Sequence, residues 1–237
     1  MATFAVQMNS IQIYSAQTME QAVREAGIIP FFPCAIPGYS IQELTKPGFW
    51  FGDEEGTLGP WDWKIECVRS GDIAYGKFLC GGKAAFATIP WYRELMNVRR
   101  TKYEPDLSGR KILGLISEQG AVSIKDVRTL LDVKKGAADA AIGKLMHQCR
   151  EVTGDISRVY NGPNLSYKGW QRASFCTPES LFESDAAFAD FPGFPIADAG
   201  CTLRPNHSPE ESMELLISHI ASLFPDADHA QILKVLR

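Results

Sequence analysis

The sequence lacks both a long hydrophobic run and an overall excess of positive charge. Its 237 residues include 24 lysines and arginines against 28 acidic residues, for a formal net charge of −4. This balance excludes a uniformly basic nucleic-acid-binding protein. No apolar stretch approaches the ~20 residues that a membrane-spanning helix needs. Neither the basic start nor the apolar core of a signal peptide precedes Arg24. We therefore expect a cytoplasmic protein with no membrane partner.

Closely spaced cysteines are missing as well. No two of the six cysteines have the short spacing of a zinc knuckle or a redox dithiol, and the four histidines add no ligand pattern. An even number of cysteines is compatible with the disulfides of a secreted protein. However, a chain of this size can bury a core without them, so we expect reduced thiols. We also expect no metal site and no cofactor.

What the sequence does contain divides into three regions, predicted at residues 1–104, 105–178 and 179–237. The first region mixes short helices with aromatic strands, and its first two helices have predicted N-caps at Thr18 and Ser40. Two strand-like runs around the pair Gly81-Gly82 are typical of a β-hairpin.

The third region is acidic and helical. Thr177 and Ser208 are its predicted N-caps, each followed by a proline at the first helical position. The three regions together predict an α+β protein with a mixed α/β N-terminal part and a helical C-terminal part.

The middle region has the pattern of three helices followed by a β-hairpin, with predicted N-caps at Ser108 and Ser123. The predicted helices and strands lie at residues 108–118, 123–131, 135–148, 151–159 and 165–175. This order is typical of a winged helix-turn-helix, and the short link between the second and third helices has the length of its turn. We therefore predict a winged helix in the middle of the chain.

Positive charge is concentrated in this middle region. Residues 1–98 carry 7 basic and 10 acidic side chains, residues 99–172 carry 14 and 8, and residues 173–237 carry 3 and 10. Lysine and arginine that neutralise phosphates dominate affinity for nucleic acids. We therefore predict DNA binding through the third helix and the wing. The candidate DNA-contacting residues are Arg99, Arg100, Lys134, Lys135, Lys144, Arg150, Lys168 and Arg172.

Two other interpretations of the positive region stay open. Its lysines and arginines could be solvated and have no ligand. Alternatively, the region could dock the acidic C-terminal helices of its own chain, which are also candidates for binding a protein partner.

Several segments of the sequence resemble one family of bacterial proteins. They are Gly-Ile-Ile-Pro-Phe-Phe at 27–32, Ile-Pro-Gly-Tyr-Ser at 36–40, Gly-Pro-Trp-Asp-Trp-Lys at 59–64, Ala-Tyr-Gly-Lys-Phe at 74–78 and Asn-Val-Arg-Arg at 97–100. The proteins they resemble are called AlkZ-related, after a distant similarity to the AlkZ-type winged-helix DNA glycosylases. The resemblance spans residues 27–104 and the predicted winged helix, and it implies a link to DNA repair.

The catalytic signature of those glycosylases is absent. The resemblance would imply a Gln-x-Gln or Gln-x-Asp triplet, whose polar side chains position water against the sugar. None of the glutamines of this sequence has such a partner two positions on. The glycosylase catalytic residues therefore do not transfer to this chain, and whether the protein is an enzyme stays open.

The aromatic stretch of residues 49–63, which we predict as a loop, is a candidate base or ligand pocket. Its residues Trp50, Trp61 and Trp63 could stack on an unpaired base, and Lys77 could pair with phosphate. Acidic residues in the same stretch could activate water. The commoner role of tryptophans beside glycine and proline is to fill a hydrophobic core.

Three functions follow from these observations. The first is a DNA-binding winged-helix protein of repair or regulation that has no recognisable catalytic motif. The second is a divergent DNA glycosylase-like hydrolase that uses the aromatic stretch as a base pocket. The third is a winged-helix protein-interaction module with no nucleic-acid role.

Overall fold

The computed structural model describes residue 8 and residues 11–50, 58–183 and 203–237. Within these ranges the chain forms helices and two three-stranded antiparallel sheets. The elements of the first region are α1 (Ala16–Ala26), β1 (Ile28–Pro30), α2 (Ile41–Leu44), α3 (Pro60–Arg69), β2 (Ile73–Leu79), β3 (Lys83–Thr88) and α4 (Ile89–Lys102).

The middle and last regions continue this α+β pattern. The middle elements are α5 (Leu107–Gln119), β4 (Val122–Ser123), α6 (Ile124–Leu131), α7 (Lys135–His147), β5 (Val152–Asn161) and β6 (Ser166–Cys176). The last elements are α8 (Pro178–Phe182), α9 (Pro209–Leu223) and α10 (His229–Leu236). Among the helices of the described ranges, none has the length and apolar character needed to cross a bilayer.

Side-chain caps set the starts of most helices, and two predicted caps were wrong. The N-cap of α1 is Ser15. Its Oγ accepts from the backbone N–H of Thr18, and Thr18 Oγ1 accepts from the backbone N–H of Ser15. Helix α5 begins at Asp106, which accepts from Gly109 at 2.8 Å, so Ser108 lies inside the helix. The other predicted N-caps, at residues 40, 123, 177 and 208, are confirmed.

The prediction of a loop through Trp63 was also wrong, because α3 begins at Pro60. Proline is favoured at the first position of a helix, where its missing N–H is not needed. Asp62 follows in the first turn, where a carboxylate is stabilised by the helix dipole. The helix places Asp62 and Trp63 on its buried side and leaves Trp61 partly exposed.

The first sheet, ordered β1-β3-β2, lies in the larger hydrophobic core. The predicted hairpin of β2 and β3 is confirmed, with Tyr75 opposite Phe86. Large aromatic side chains fill this core, among them Phe31, Tyr39 and Tyr92.

The second sheet, ordered β4-β6-β5, belongs to a unit with its own smaller core. Helices α5, α6 and α7 contribute Ile112, Val127 and Ile142 to this core, and β4 contributes Val122. The order of elements is therefore helix, short strand, two helices and a long hairpin. The three helices and the hairpin were predicted from the periodicity, and the short strand was not.

The acidic C-terminal helices join the larger core. Leu216 and Ile220 of α9 and Val235 of α10 are buried in it, and α9 packs along α4. The His219 ring stacks on Trp91 at 3.7 Å between ring centroids. In the described part of the chain, these helices therefore find their main partner in the first region rather than in the basic middle region.

Candidate functional site

The long hairpin of β5 and β6 presents an aromatic side chain between two basic ones. Trp170 of β6 is 68% exposed, and Lys168 and Arg172, two residues to either side, are exposed as well. Burying a tryptophan is strongly favourable, so a tryptophan left this open is unusual; it lies at an irregularity of β6, where the register with β5 shifts and Gly169 has φ +77°. We call these three residues the hairpin stripe. The sequence analysis identified its two cations but missed Trp170. Side chains alternate between the two faces of a strand, so Trp170 lies on the face opposite the inward-facing Gln171 and Ala173, the same face as Arg172.

The inner side of the hairpin is held to α3 by one buried carboxylate. Asp62 is 8% exposed, and its Oδ1 accepts from Tyr167 at 2.6 Å, from Arg158 at 3.1 Å and from Gln171 at 3.3 Å. All three donors are hairpin side chains. Burial and this carboxylate raise the pKa of Tyr167, which keeps its hydroxyl protonated as a donor. The inner side of the hairpin is thus held against α3, while the hairpin stripe on its outer side is exposed to solvent.

Only part of α7, the helix predicted to enter a DNA groove, is exposed to solvent. Lys134 and Lys135, at the N-terminus of α7, are exposed. The C-terminal half of α7 lies against β2 instead: a Cβ built on Gly76 would sit 3.6 Å from Met146 Sδ, and one built on Gly143 would sit 3.5 Å from Lys77 Cδ. The basic N-terminal turn is therefore the accessible part of this helix.

Lys144 of α7 is exposed but already has a partner. Its Nζ lies 2.7 Å from Asp106 Oδ2, and both side chains are about half exposed. This ion pair lowers the pKa of Asp106. Lys144 thus ties the N-terminus of α5 to α7.

Two predicted DNA contacts at the end of α4 are engaged within the protein, Arg99 buried and Arg100 half-buried. Arg99 is 4% exposed, and its guanidinium donates to the backbone carbonyls of Phe78 and Leu236. Arg100 donates to the carbonyl of Cys149 and pairs with Glu179. Both guanidinium groups bind elements packed against α4, so neither is available to contact a phosphate.

Arg150 is half-buried beside this cluster and lies 3.4 Å from the carboxylate of Glu104. His147 is close by, with its Nε2 2.8 Å from Arg99 Nη1. Burial and the charge of Arg99 lower the pKa of His147 to about 4, so the neutral imidazole accepts from the arginine. The sequence showed a basic run here, but the surrounding elements turn it into an internal polar network.

The tryptophans proposed as a base pocket are mainly packed. Trp63 is buried, and Trp50 and Trp61 lie against Phe31 with ring centroids 5.4 and 5.2 Å away. Trp61 keeps 41% of its surface exposed. The acidic residues 53–55 of the same stretch lie outside the described residues.

Lys77 lies apart from these tryptophans, in a cleft between β2, α7 and the hairpin. The cleft has two adjoining parts of about 550 and 250 Å³, and Lys77 and Asp139 line both. The smaller part is bounded by α3 and the inner side of the hairpin and contains Lys64, Thr153 and Gln171. Burial lowers the pKa of the Lys64 ammonium to about 8.

These features define a mixed α and β protein with a basic, aromatic hairpin and a lysine-lined cleft. The chain belongs to the AlkZ-related family: the family profile, described as AlkZ related, matches residues 13–237. The resemblance of the five sequence segments is thereby confirmed. No curated protein and no solved structure matches the chain.

Proposed function

We propose that the protein binds DNA and that residues 105–178 act as a winged helix. The order α5, β4, α6, α7, β5, β6 and the sheet order β4-β6-β5 support this assignment. In such a unit α6 and α7 form the helix-turn-helix, and the hairpin of β5 and β6 is the wing. Asp132 makes the turn between the two helices in the left-handed conformation, at φ +51°.

The hairpin stripe is the observation that carries this proposal. Lysine and arginine neutralise phosphates, and a tryptophan face stacks on a base whatever its identity. Because Trp170 is anchored on a strand whose other side is pinned to Asp62, the stripe is preorganised. Stacking requires an exposed base face, which favours single-stranded or locally unpaired DNA as the ligand.

A second basic patch supports phosphate contact at the start of α7. Lys134 and Lys135 are exposed, with no ion pair among the residues described. Arg99 and Arg100 are left out of the proposed surface because their guanidinium groups bind neighbouring elements, and Lys144 is left out because it already pairs with Asp106 at the surface. Trp61 and Trp63 are left out as base-stacking residues.

Fluorescence anisotropy with labelled single-stranded and duplex oligonucleotides over a salt series tests the proposal. We expect Trp170→Ala to weaken single-strand binding by about 1–3 kcal/mol, the usual contribution of one stacked base. We expect the pair Lys168→Glu and Arg172→Glu to weaken binding about tenfold or more and to reduce the salt slope by about one to two. Lys134→Glu with Lys135→Glu tests the α7 patch in the same way.

A matched charge reversal separates local contacts from the effect of net charge. Lys46 and Lys234 are exposed on the first region and on α10, so Lys46→Glu with Lys234→Glu changes the net charge equally. This control should bind almost as the parent protein does. Equal losses for the control and stripe variants, or no binding by the parent at low salt, would overturn the proposal.

A further inference from the structure

Lys64 is a buried lysine that has no acidic partner at ion-pairing distance among the residues that the structure describes. It is 7% exposed, and among the described residues its closest charge-related contact is the ring of Trp61, with the centroid 4.6 Å from Nζ. The carboxylate of Asp62, its neighbour on α3, is engaged by the three hairpin donors. A lysine used only for stability would normally keep its ammonium in water or pair it with a carboxylate.

Lys64 is also one of the residues that line a small cavity beside α3. The 250 Å³ part of the cleft is lined largely by apolar side chains, including Ile142, Met146 and Phe175. Thr153 and Gln171 add hydrogen-bonding groups, and Lys77 and Asp139 add one positive and one negative charge at the junction with the larger part. Such a site, apolar with a few polar groups, is typical of small-ligand pockets.

This environment favours the neutral, nucleophilic amine. Burial disfavours the charged ammonium, and the charge of Asp62 only partly offsets that effect. With a pKa of about 8, about a quarter of Lys64 is neutral at pH 7.5, against about one part in a thousand for an ordinary lysine. Lysines desolvated in this way are the ones that form Schiff bases.

We propose that Lys64 is a nucleophile that forms an imine with a small, negatively charged aldehyde or ketone bound in this cleft. The size of the cavity limits the ligand, and Lys77 is the group that would attract its anionic part, against the opposing charge of Asp139 in the same lining. The neutral amine of Lys64 forms a bond to the carbonyl carbon, and one amine proton passes to the carbonyl oxygen to give a carbinolamine. Its hydroxyl then leaves as water with the second amine proton, which leaves the C=N bond, with no oxidant or reductant consumed. This proposal is independent of DNA binding.

Reductive trapping tests it on the full chain. The protein is incubated with pyridoxal 5′-phosphate as the anionic aldehyde, or with benzaldehyde as a neutral one, in the presence of cyanoborohydride, and modified lysines are quantified by peptide mass spectrometry. At pH 7.5 we expect pyridoxal 5′-phosphate to modify Lys64 about tenfold faster than exposed Lys46, and the Lys64 rate to reach half its maximum near the pKa of about 8. Benzaldehyde should show a smaller preference for Lys64, because it lacks the charge that Lys77 attracts.

Two variants make the result specific. Lys64→Arg should remove the fast-labelled peptide, whereas Lys125→Arg, at an exposed site on α6, should leave it. Ala173→Met keeps the amine but fills the cavity from the hairpin side, so labelling of Lys64 should fall at least about fivefold while circular dichroism stays unchanged. Modification of Lys64 no faster than Lys46 in the parent protein would overturn the proposal, and an equal preference with benzaldehyde would overturn the anionic ligand.

Discussion

The hydroxyl of Tyr167 donates a hydrogen bond of 2.6 Å to Oδ1 of Asp62, and this contact joins two parts of the chain 105 residues apart. It fixes the inner side of the hairpin against α3. The hairpin stripe on the outer side and the Lys64 cleft on the inner side both depend on this attachment. Four predictions follow from this contact and from other buried or constrained groups in the same fold.

Replacing Asp62 with alanine should destabilise the protein by about 2 kcal/mol or more, because three hairpin donors lose their shared acceptor. The control is Asp155→Ala, which removes an ion pair with Arg69 whose side chains are both about half exposed. That pair should contribute at most about 1 kcal/mol. Urea unfolding of the two variants measures the difference, and equal losses would show that Asp62 does not hold the hairpin.

Gly27 is expected to tolerate no side chain. It has φ +68°, and an added Cβ would lie 2.4 Å from Cδ1 and Nε1 of Trp91. Gly81 has a similar φ of +72° but open space around it. Gly81→Ala should therefore cost only the backbone strain of about 1–2 kcal/mol, whereas Gly27→Ala should cost more, since the stack of Trp91 on His219 must also move. Thermal unfolding compares the two, and a smaller loss at Gly27 would contradict the steric argument.

Glu151 should make the protein less stable as the pH rises. The side chain is fully buried, and neither carboxyl oxygen has a hydrogen-bond partner in the part of the chain that the structure describes. Burial raises the pKa of Glu151 well above its ordinary 4.5. In the unfolded chain Glu151 loses its proton as the pH rises above about 4.5, whereas in the folded chain the carboxyl group keeps its proton. The free energy of unfolding therefore falls as the pH rises above 4.5.

Glu151→Gln removes this ionisation and keeps the shape of the side chain. The variant should be more stable than the parent at pH 8, and the advantage should shrink toward pH 5. Glu118→Gln, at an exposed position on α5, is the control and should show no such trend. Urea midpoints measured from pH 5 to 8 test this, and parallel curves for the parent protein and Glu151→Gln would contradict it.

Cys34 should be the first thiol of the described cysteines to react with iodoacetamide. A hydrogen bond with Cys80 lowers the pKa of Cys34, and the residue is only partly buried. Burial instead raises the pKa of Cys67 to about 12. Since the thiolate is the reactive species, peptide mass spectrometry should find Cys34 modified well before Cys67 at pH 7.5. Cys80→Ala, which removes the donor, should slow the labelling of Cys34, and equal rates at Cys34 and Cys67 in the folded protein would refute the prediction.

The order of helices and strands was largely predictable because it depends on local signals. The capping box at Ser123 and Asp126 and the apolar spacing of α6 identify that helix without any tertiary information. Where two hydroxyl or carboxyl residues compete to cap a helix, as Ser15 does with Thr18, the local signal is ambiguous. Helix α3 was missed because tryptophans that follow a glycine and a proline, here Gly59 and Pro60, are typical of a loop.

The candidate site was predictable only in part. Lys168 and Arg172 stand out as cations on a predicted strand, and alternation along that strand would have added Trp170. Nothing in the local sequence indicates that the guanidinium of Arg99 donates to carbonyls of β2 and α10, which lie 21 and 137 residues away. Lys64 likewise acquires its environment from α3, β2, α7 and the hairpin together.

The sequence by itself determined most of the helices and strands, the concentration of positive charge in residues 99–172, and membership of the AlkZ-related family. Only the tertiary structure decided which of those charges reach solvent and which lysine lies in a cleft. The physical reason is that capping and periodicity act over a few residues, whereas burial and pairing of a charge depend on elements far apart in the chain. Arg99 and Arg172 show the result: one is enclosed by its neighbours, and the other remains at the surface.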